Sequence, residues 1–206
     1  SNESERSGTL KFDVAAYVKS GTTYQLTEAR ALWRKALQQS GKSSVSLDLL
    51  ADDTPNGKQT VEFIQSQLGK LPGLKLTTAT VPFNVRLSRS TQGDFDMVVG
   101  GWIADFPDAI SFSSLFTSNN AYNRGRWQNK AYDTDVKNAE GKDANDPDER
   151  WNDLVNAEKT LMQQQGIVPL YQRTQAQLLK PYVHGVQYFP TGAQWDFSRA
   201  YISNHQ

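Results

Sequence analysis

Val45-Ser-Leu-Asp-Leu-Leu50, Leu74-Lys-Leu-Thr-Thr-Ala-Thr-Val81 and Phe95-Asp-Met-Val-Val99 are three apolar or β-prone runs, and the stretches between them decide the fold. The first alternates as a strand, the second is Thr-rich and β-prone, and the third reads as a buried strand. Between the first two lies the cluster Asp52-Asp53-Thr54-Pro55-Asn56-Gly57, expected as a turn. A helix follows it, with Val61, Ile64 and Leu68 on one face and Gly69 as its stop. Between the second and third, Pro82 opens a short helix carrying Phe83 and Leu87. Upstream, Thr27 is the expected cap of a further helix, with Ala29, Leu32, Trp33, Ala36 and Leu37 at helical spacing up to Gly41. Strand, helix, strand, helix, strand predicts an α/β fold with a mainly parallel central sheet flanked by helices, joined by right-handed crossovers. Ligands of such open sheets sit outside the carboxyl ends of the strands, so Val99-Gly100-Gly101-Trp102 is where a site is expected.

The second half is less regular. Residues 103–145 show no clear period, and Asn119 to Lys130 is polar and aromatic, with Arg124, Arg126 and Trp127. Asp146-Pro147-Asp148-Glu149 announces a long helix: a capping Asp, Pro in the first turn and Glu three residues on. Its face is Trp151, Leu154, Val155, Leu161 and Met162, ending at Gly166. Ile167 to Tyr171 and Ala176 to Leu179 read as strands, and the chain from Tyr182 onward is strand-like and aromatic.

Composition removes several function classes. With 22 basic and 22 acidic residues, the chain has no net field to attract nucleic acid or an anionic membrane, and no such partner is expected. Cysteine is absent, which excludes disulfides, thiolate catalysis and Cys-ligated metal. No run approaches the ~20 apolar residues of a membrane helix, so no direct insertion is expected. The start, Ser1 to Gly8, is polar; a Ser-Asn beginning without Met suggests a protease-cleaved expression product whose targeting segment has been removed.

No GxSxG, P-loop or HExxH pattern occurs. The two histidines are His184, at an expected strand entrance, and His205, near the terminus; neither has an evident nucleophile or orienting partner. Asp52-Asp53 beside Pro-Asn-Gly reads as turn chemistry rather than an acid–base pair. No catalytic residue, metal site or cofactor is expected.

The segment Gly100-Gly101-Trp102-Ile103-Ala104-Asp105-Phe106-Pro107-Asp108 is different. Two glycines after a strand let another backbone approach closely. Trp102 then offers a flat face, and a carboxylate follows three residues on. Main-chain groups of Gly100, Gly101, Trp102 and Ile103 could pair with an extended peptide while Asp105 meets its α-ammonium group, a charge-assisted bond worth ~1.5–3 kcal/mol. The residues fit equally well a strand ending in a glycine turn, with Trp102 in the core and Asp105 capping a helix begun near Pro107.

Gly93-Asp94-Phe95-Asp96 leading into Gly101-Trp102-Ile103-Ala104-Asp105-Phe106 resembles family 5 of the extracellular solute-binding proteins, which serve ABC importers of oligopeptides, dipeptides and nickel. Asn129-Lys130-Ala131-Tyr132-Asp133 is similar to that family's N-x-x-Y-D region. The Arg150-to-Gln165 helix, followed by Gly166-Ile167-Val168-Pro169-Leu170-Tyr171, resembles its E…L…IVPLY passage. Leu179-Lys180-Pro181-Tyr182-Val183-His184-Gly185 resembles its closing K-P-x-V-x-G stretch. The pieces run in the family's order over residues 26–203.

The resemblance implies a periplasmic-binding-protein-like lobe (type II, cluster C). Residues 1–8 would be a disordered start and 9–181 the carboxy-terminal lobe of a two-lobe protein. Residues 182–206 would return toward the amino-terminal lobe. It implies that Asp105 holds a peptide α-ammonium, that Trp102 lines a side-chain pocket and that Gly101 to Ile103 pair with peptide backbone. Some relatives place an Arg three residues before the Trp to meet a peptide carboxylate; here that residue is Val99. Arg86 and Arg89 on the preceding helix are candidate substitutes, against the plain reading of solvated helix charges. The implied partners are an oligopeptide and the membrane permease subunits of an ABC importer. The implied setting is extracytoplasmic, lipid-anchored or periplasmic. The same scaffold is also compatible with a nickel chelate, a sugar oligomer or a signalling peptide, and the residues with a surface interaction module lacking a small ligand.

Overall fold

A computed structural model describes residues 23–174 and 176–204. The tail expected at 1–8, the first part of the expected lobe (9–22) and His205 lie outside the described residues. The described chain forms two compact units, 23–101 and 102–204. No helix among the described residues is long and apolar enough to cross a membrane.

The first unit contains α1 (Leu26–Ser40), β1 (Val45–Asp52), α2 (Pro55–Leu68), β2 (Leu74–Val81), α3 (Phe83–Gln92) and β3 (Met97–Val98). The sheet has the order β2-β1-β3 and is parallel throughout. β1 pairs with β2 over its whole length, from Val45 opposite Leu74 to Asp52 opposite Val81, and with β3 at Leu49–Met97 and Leu50–Val98. As the central strand, β1 is covered on both faces, so Leu49, Leu50 and Ala51 are buried in succession instead of alternating. Leu49 and Ala51 pack with Val61 of α2, against Ile64, Leu76, Met97 and Val99.

Because the chain leaves β1 toward β2 on one side and reaches β3 on the other, the strand order reverses at the β1–β3 junction. The carboxyl ends there carry Asp52 and Gly100, the position at which α/β sheets open a crevice.

Three boundaries differ from expectation. α1 is capped by Gln25 rather than Thr27, with no side-chain cap bond. Its apolar stripe is only partly covered: Trp33 is half-buried and donates Nε1–H to the Pro72 carbonyl at 2.8 Å, while Leu32 is exposed. The expected turn at 52–57 is shorter, because the Thr54 hydroxyl accepts from Gly57 N at 3.0 Å and Pro55 already occupies the first helical turn. The strand expected over Phe95–Val99 is regular only at Met97–Val98, although Val99 N still donates to the Leu50 carbonyl at 2.8 Å.

The second unit contains a short helix α4 (Ile110–Ser113) running into a 3₁₀ turn (Ser114–Phe116), then α5 (Lys130–Glu140) and α6 (Pro147–Gln163). Tyr132, Val136 and Ala139 of α5 pack on Leu154, Ala157 and Leu161 of α6, with Ile110 completing the cluster. Asp146 caps α6 as its sequence predicts, accepting from the amides of Asp148 and Glu149. Asn129 caps α5 through the Tyr132 amide at 3.0 Å. Tyr132 is fully buried and donates its hydroxyl to the Ser113 carbonyl. Burial pushes its pKa up, helped by the nearby Glu158 and Asp133 charges.

The strands expected at Ile167–Tyr171 and Ala176–Leu179 are absent from the described residues. β-prone composition makes a strand only where an edge is available to pair with, and these runs pair with none there. Val168, Leu170, Tyr171, Leu178 and Leu179 are instead exposed. The end of the chain does form strands, as two antiparallel ribbons. β4 (Val183–His184) pairs with β7 (Tyr201–Ile202), and β5 (Gln187–Tyr188) with β6 (Trp195–Asp196).

Candidate functional site

Residues 100–103 follow the end of β3 as an extended, irregular stretch, Gly100 and Gly101 closing the first unit and Trp102 and Ile103 opening the second. None of the four makes a backbone hydrogen bond to another described residue. Gly100, Gly101 and Ile103 are exposed, and a Cβ on Gly100 would meet nothing within 4 Å. An exposed run of unpaired peptide N–H and C=O groups can hydrogen-bond with another extended chain.

Just beyond, the chain is fastened. The Ala104 carbonyl accepts from Gly192 N at 3.0 Å, and Asp105 N donates to Ser111 Oγ at 2.9 Å. These two bonds use the C=O and N–H of the single Ala104–Asp105 peptide group and tie it to two different parts of the second unit. The Asp105 residue is exposed, and its carboxylate has no ion pair or hydrogen bond among the described residues.

The capping role that Asp105 could have played falls to Asp108. Its Oδ1 accepts from Ile110 N at 2.9 Å and from Arg150 Nη2 at 2.9 Å. Partial burial would raise the Asp108 pKa, but the Arg150 hydrogen bond, the Ile110 amide and the Arg150 charge together hold it below the usual value.

Trp102 is half-buried. Its indole N–H is buried and has no hydrogen-bond partner among the described residues, and its ring meets Tyr122 edge-on, centroids 4.8 Å apart. Trp102 is therefore neither a plain core residue nor a free surface ring.

Arg86 and Arg89 occupy a different environment from the one a solvated helix face suggests. Arg86 is buried on α3, and its Nε meets Asp52 Oδ1 at 2.6 Å while its guanidinium lies over the Phe83 ring. Arg89 bridges Asp94 at 2.8 Å and Asp48 at 3.3 Å. Both cations thus have carboxylate partners at the sheet, which tie α3 to β1. His184 hydrogen-bonds Ser203 Oγ through Nε2 at 3.0 Å, a contact that joins β4 to the strand end opposite. Among the described residues no cluster of His, Asp or Glu has an arrangement able to hold a metal ion.

Sequence reading overlooked the loop that holds Tyr122. Asn123 is buried; its Nδ2 donates to the carbonyls of Trp127 at 2.7 Å and Thr117 at 3.2 Å, and its Oδ1 accepts from Trp127 N at 3.2 Å. The sequence offered only a polar, aromatic segment there. An inward Asn flanked by outward Tyr122 and Arg124 is a tertiary feature.

A parallel sheet flanked by helices, with an exposed strand exit at its carboxyl edge, defines the class of fold as α/β. The chain belongs to the bacterial extracellular solute-binding proteins, family 5, whose middle region matches residues 4–124. It is 34% identical over 193 residues to a dipeptide-binding protein of Lactococcus lactis, covering 92% of this chain and 35% of that protein. The structure of Listeria monocytogenes OppA bound to peptide superposes with a TM-score of 0.83 at 32% identity, over 94% of this chain and 36% of that one. A peptide-binding protein of a peptide ABC transporter matches at 46% identity and a TM-score of 0.72, over 77% of this chain and 69% of that one. The chain therefore spans about a third of the length of the curated relatives it matches.

Proposed function

We propose that this chain is the greater part of the carboxy-terminal lobe (9–181) of a two-lobe substrate-binding component of an ABC importer. That component captures extended oligopeptides in the cleft between its lobes. The carrying observation is the pairing of two features in consecutive residues. Among the described residues, the backbone groups of Gly100 to Ile103 are unpaired, with Gly100, Gly101 and Ile103 exposed, and Asp105 has an exposed carboxylate without a partner.

A peptide laid along 100–103 gains main-chain hydrogen bonds that do not depend on its side chains. Its α-ammonium group then supplies the counter-charge that Asp105 lacks. Because the Ala104–Asp105 peptide is held by Gly192 and Ser111, the backbone that carries the carboxylate is fixed before the ligand arrives, which lowers the ordering cost of binding. The ribbons in 182–204 carry exposed Phe197, Tyr201 and Ile202, apolar surface suited to covering by the amino-terminal lobe. In this reading the protein binds and hands over its ligand without chemistry. It works outside the cytoplasm, lipid-anchored or periplasmic, and delivers to the importer's membrane permease subunits.

Titration calorimetry on the full-length two-lobe protein tests the reading. Tri- to hexapeptides should bind, and amino-terminal acetylation or Asp105→Ala should each weaken binding by about tenfold or more. Equal affinity for free and acetylated peptides would remove the assigned role of Asp105, and with it the amine-directed reading. A nickel chelate or a sugar oligomer binding in place of peptides would redirect the ligand class within the same scaffold.

A further inference from the structure

Arg124 is placed differently from the three arginines that form ion pairs. Arg86, Arg89 and Arg150 each meet a carboxylate. Arg124 meets none among the described residues; its guanidinium lies over the Tyr122 ring, 5.6 Å from the centroid. Tyr122 in turn packs against Trp102. The result is a continuous row of contacts, Trp102–Tyr122–Arg124, beginning at a residue of the proposed ligand strand and ending at a cation without a counter-ion among the described residues.

The loop that presents this stack is built rather than slack. Asn123 points inward and binds the backbone at Thr117 and Trp127, so its neighbours on either side are directed outward together. Tyr122 N donates to Asn120 Oδ1 at 2.8 Å, which fixes the approach to the turn. Arg126 adopts a left-handed backbone, φ 52°, and its amide bonds the Asn123 carbonyl, which returns the chain to Trp127. A guanidinium held over an aromatic ring keeps N–H groups available and loses less freedom when a planar anion docks.

We infer that Arg124, oriented by Tyr122 beside Trp102, receives a carboxylate of the bound peptide, from an acidic side chain or from the carboxyl terminus. This rests on the peptide-binding reading above. It adds a second polar determinant: Asp105 selects the positive end of the ligand, and Arg124 selects a negative group. Tyr122 is a positioning residue here, because it acts through the guanidinium it supports.

The experiment uses the full-length protein and paired tri- to hexapeptides. One arm compares free with amidated carboxyl termini, and the other compares Glu with Gln at each internal position. Wild type should prefer the carboxylate in one arm by about tenfold, which identifies its source. Arg124→Gln should bring that ratio to about one, whatever it does to affinity overall. Arg124→Lys, which keeps the charge but loses the planar fork, should retain part of it. A preference that survives Arg124→Gln, or no preference in either arm of wild type, overturns the assignment. The acetylation arm on the same proteins separates the two ideas. If acetylation still weakens binding while Arg124→Gln changes no ratio, only the Arg124 role falls; if acetylation is without effect, the amine-directed reading falls first.

Discussion

Arg150 of α6 and Asp108, at the end of the proposed ligand segment, are joined by an Nη2–Oδ1 contact of 2.9 Å. The same Arg150 donates through Nε to the Ala139 carbonyl at 3.2 Å, so one side chain ties together α5, α6 and the segment leading from Asp105. Because Asp108 also caps Ile110, its carboxylate is needed ionised. Its folded pKa lies below the unfolded value, so its contribution is present above the unfolded pKa and is lost as pH falls through the folded one.

Asp108→Asn should therefore lower stability by about 1 kcal/mol at neutral pH, a value kept small because both side chains remain partly exposed. Thermal melts across pH 3 to 7 should show a shallower acid limb in the variant than in wild type. Identical melting curves would mean that the pair is ornamental.

Gly57 gives a second test, in which two local effects oppose one another. It sits in the first turn of α2, where Ala is better than Gly by ~1 kcal/mol on helix propensity alone. A Cβ there, however, would overlap the Asp52 carbonyl oxygen, a backbone atom held by the sheet. Steric overlap with fixed backbone should win, so Gly57→Ala should melt lower than wild type. A stabilised variant would show that α2 can swing away from the end of β1.

The sheet was legible because each signal was local. Three β-prone runs, a Thr-Pro helix start and glycine stops all lie within residues 45–99, and each acts over a few residues. α5 was hidden because only Tyr132, Val136 and Ala139 of its sequence are buried, among Asp, Thr, Lys and Asn that give no apolar run. The expected strands at 167–171 and 176–179 failed for a complementary reason: pairing depends on a distant edge, which composition does not encode. Arg86 shows the same limit at the level of one side chain. Its place on α3 suggested a solvated charge, yet Asp52 at the end of β1 draws it inward. Gly100 to Asp105 stood out as a candidate in the sequence because glycines, a Trp and an Asp after a strand are informative in order. Whether Asp105 or Asp108 does the capping was not, since both precede the same helix.

Asn123 should be the most sensitive position in the loop that carries Tyr122 and Arg124. Asn123→Ala removes bonds to Trp127 N and to the carbonyls of Thr117 and Trp127, and leaves these groups without their partner. The expected loss is about 2 kcal/mol. Hydrogen exchange at the Trp127 amide should accelerate well before the α5–α6 core opens. Unchanged protection there would show that backbone turns alone hold the loop.

Asp153 supplies the opposite pH response to Asp108. Asp153 has one carboxylate oxygen buried without a hydrogen-bond partner among the described residues, close to Asp143. Desolvation raises its pKa first, then a hydrogen bond to Asp143 and the charges of Asp143 and Asp135, with Lys142 only partly opposing. A carboxyl whose folded pKa is raised stabilises the fold fully below its unfolded pKa, and that benefit disappears as pH rises through the folded value. At neutral pH the ionised Asp153 is therefore a liability. Asp153→Asn keeps the shape, can donate to Asp143 and carries no charge, so it should raise the melting temperature at pH 7 and change it little at pH 4. Asp143→Asn should act in the same direction, and the two effects should not add, because either one removes the repulsion. A double variant that gains the full sum of both would show that the two carboxyls do not interact.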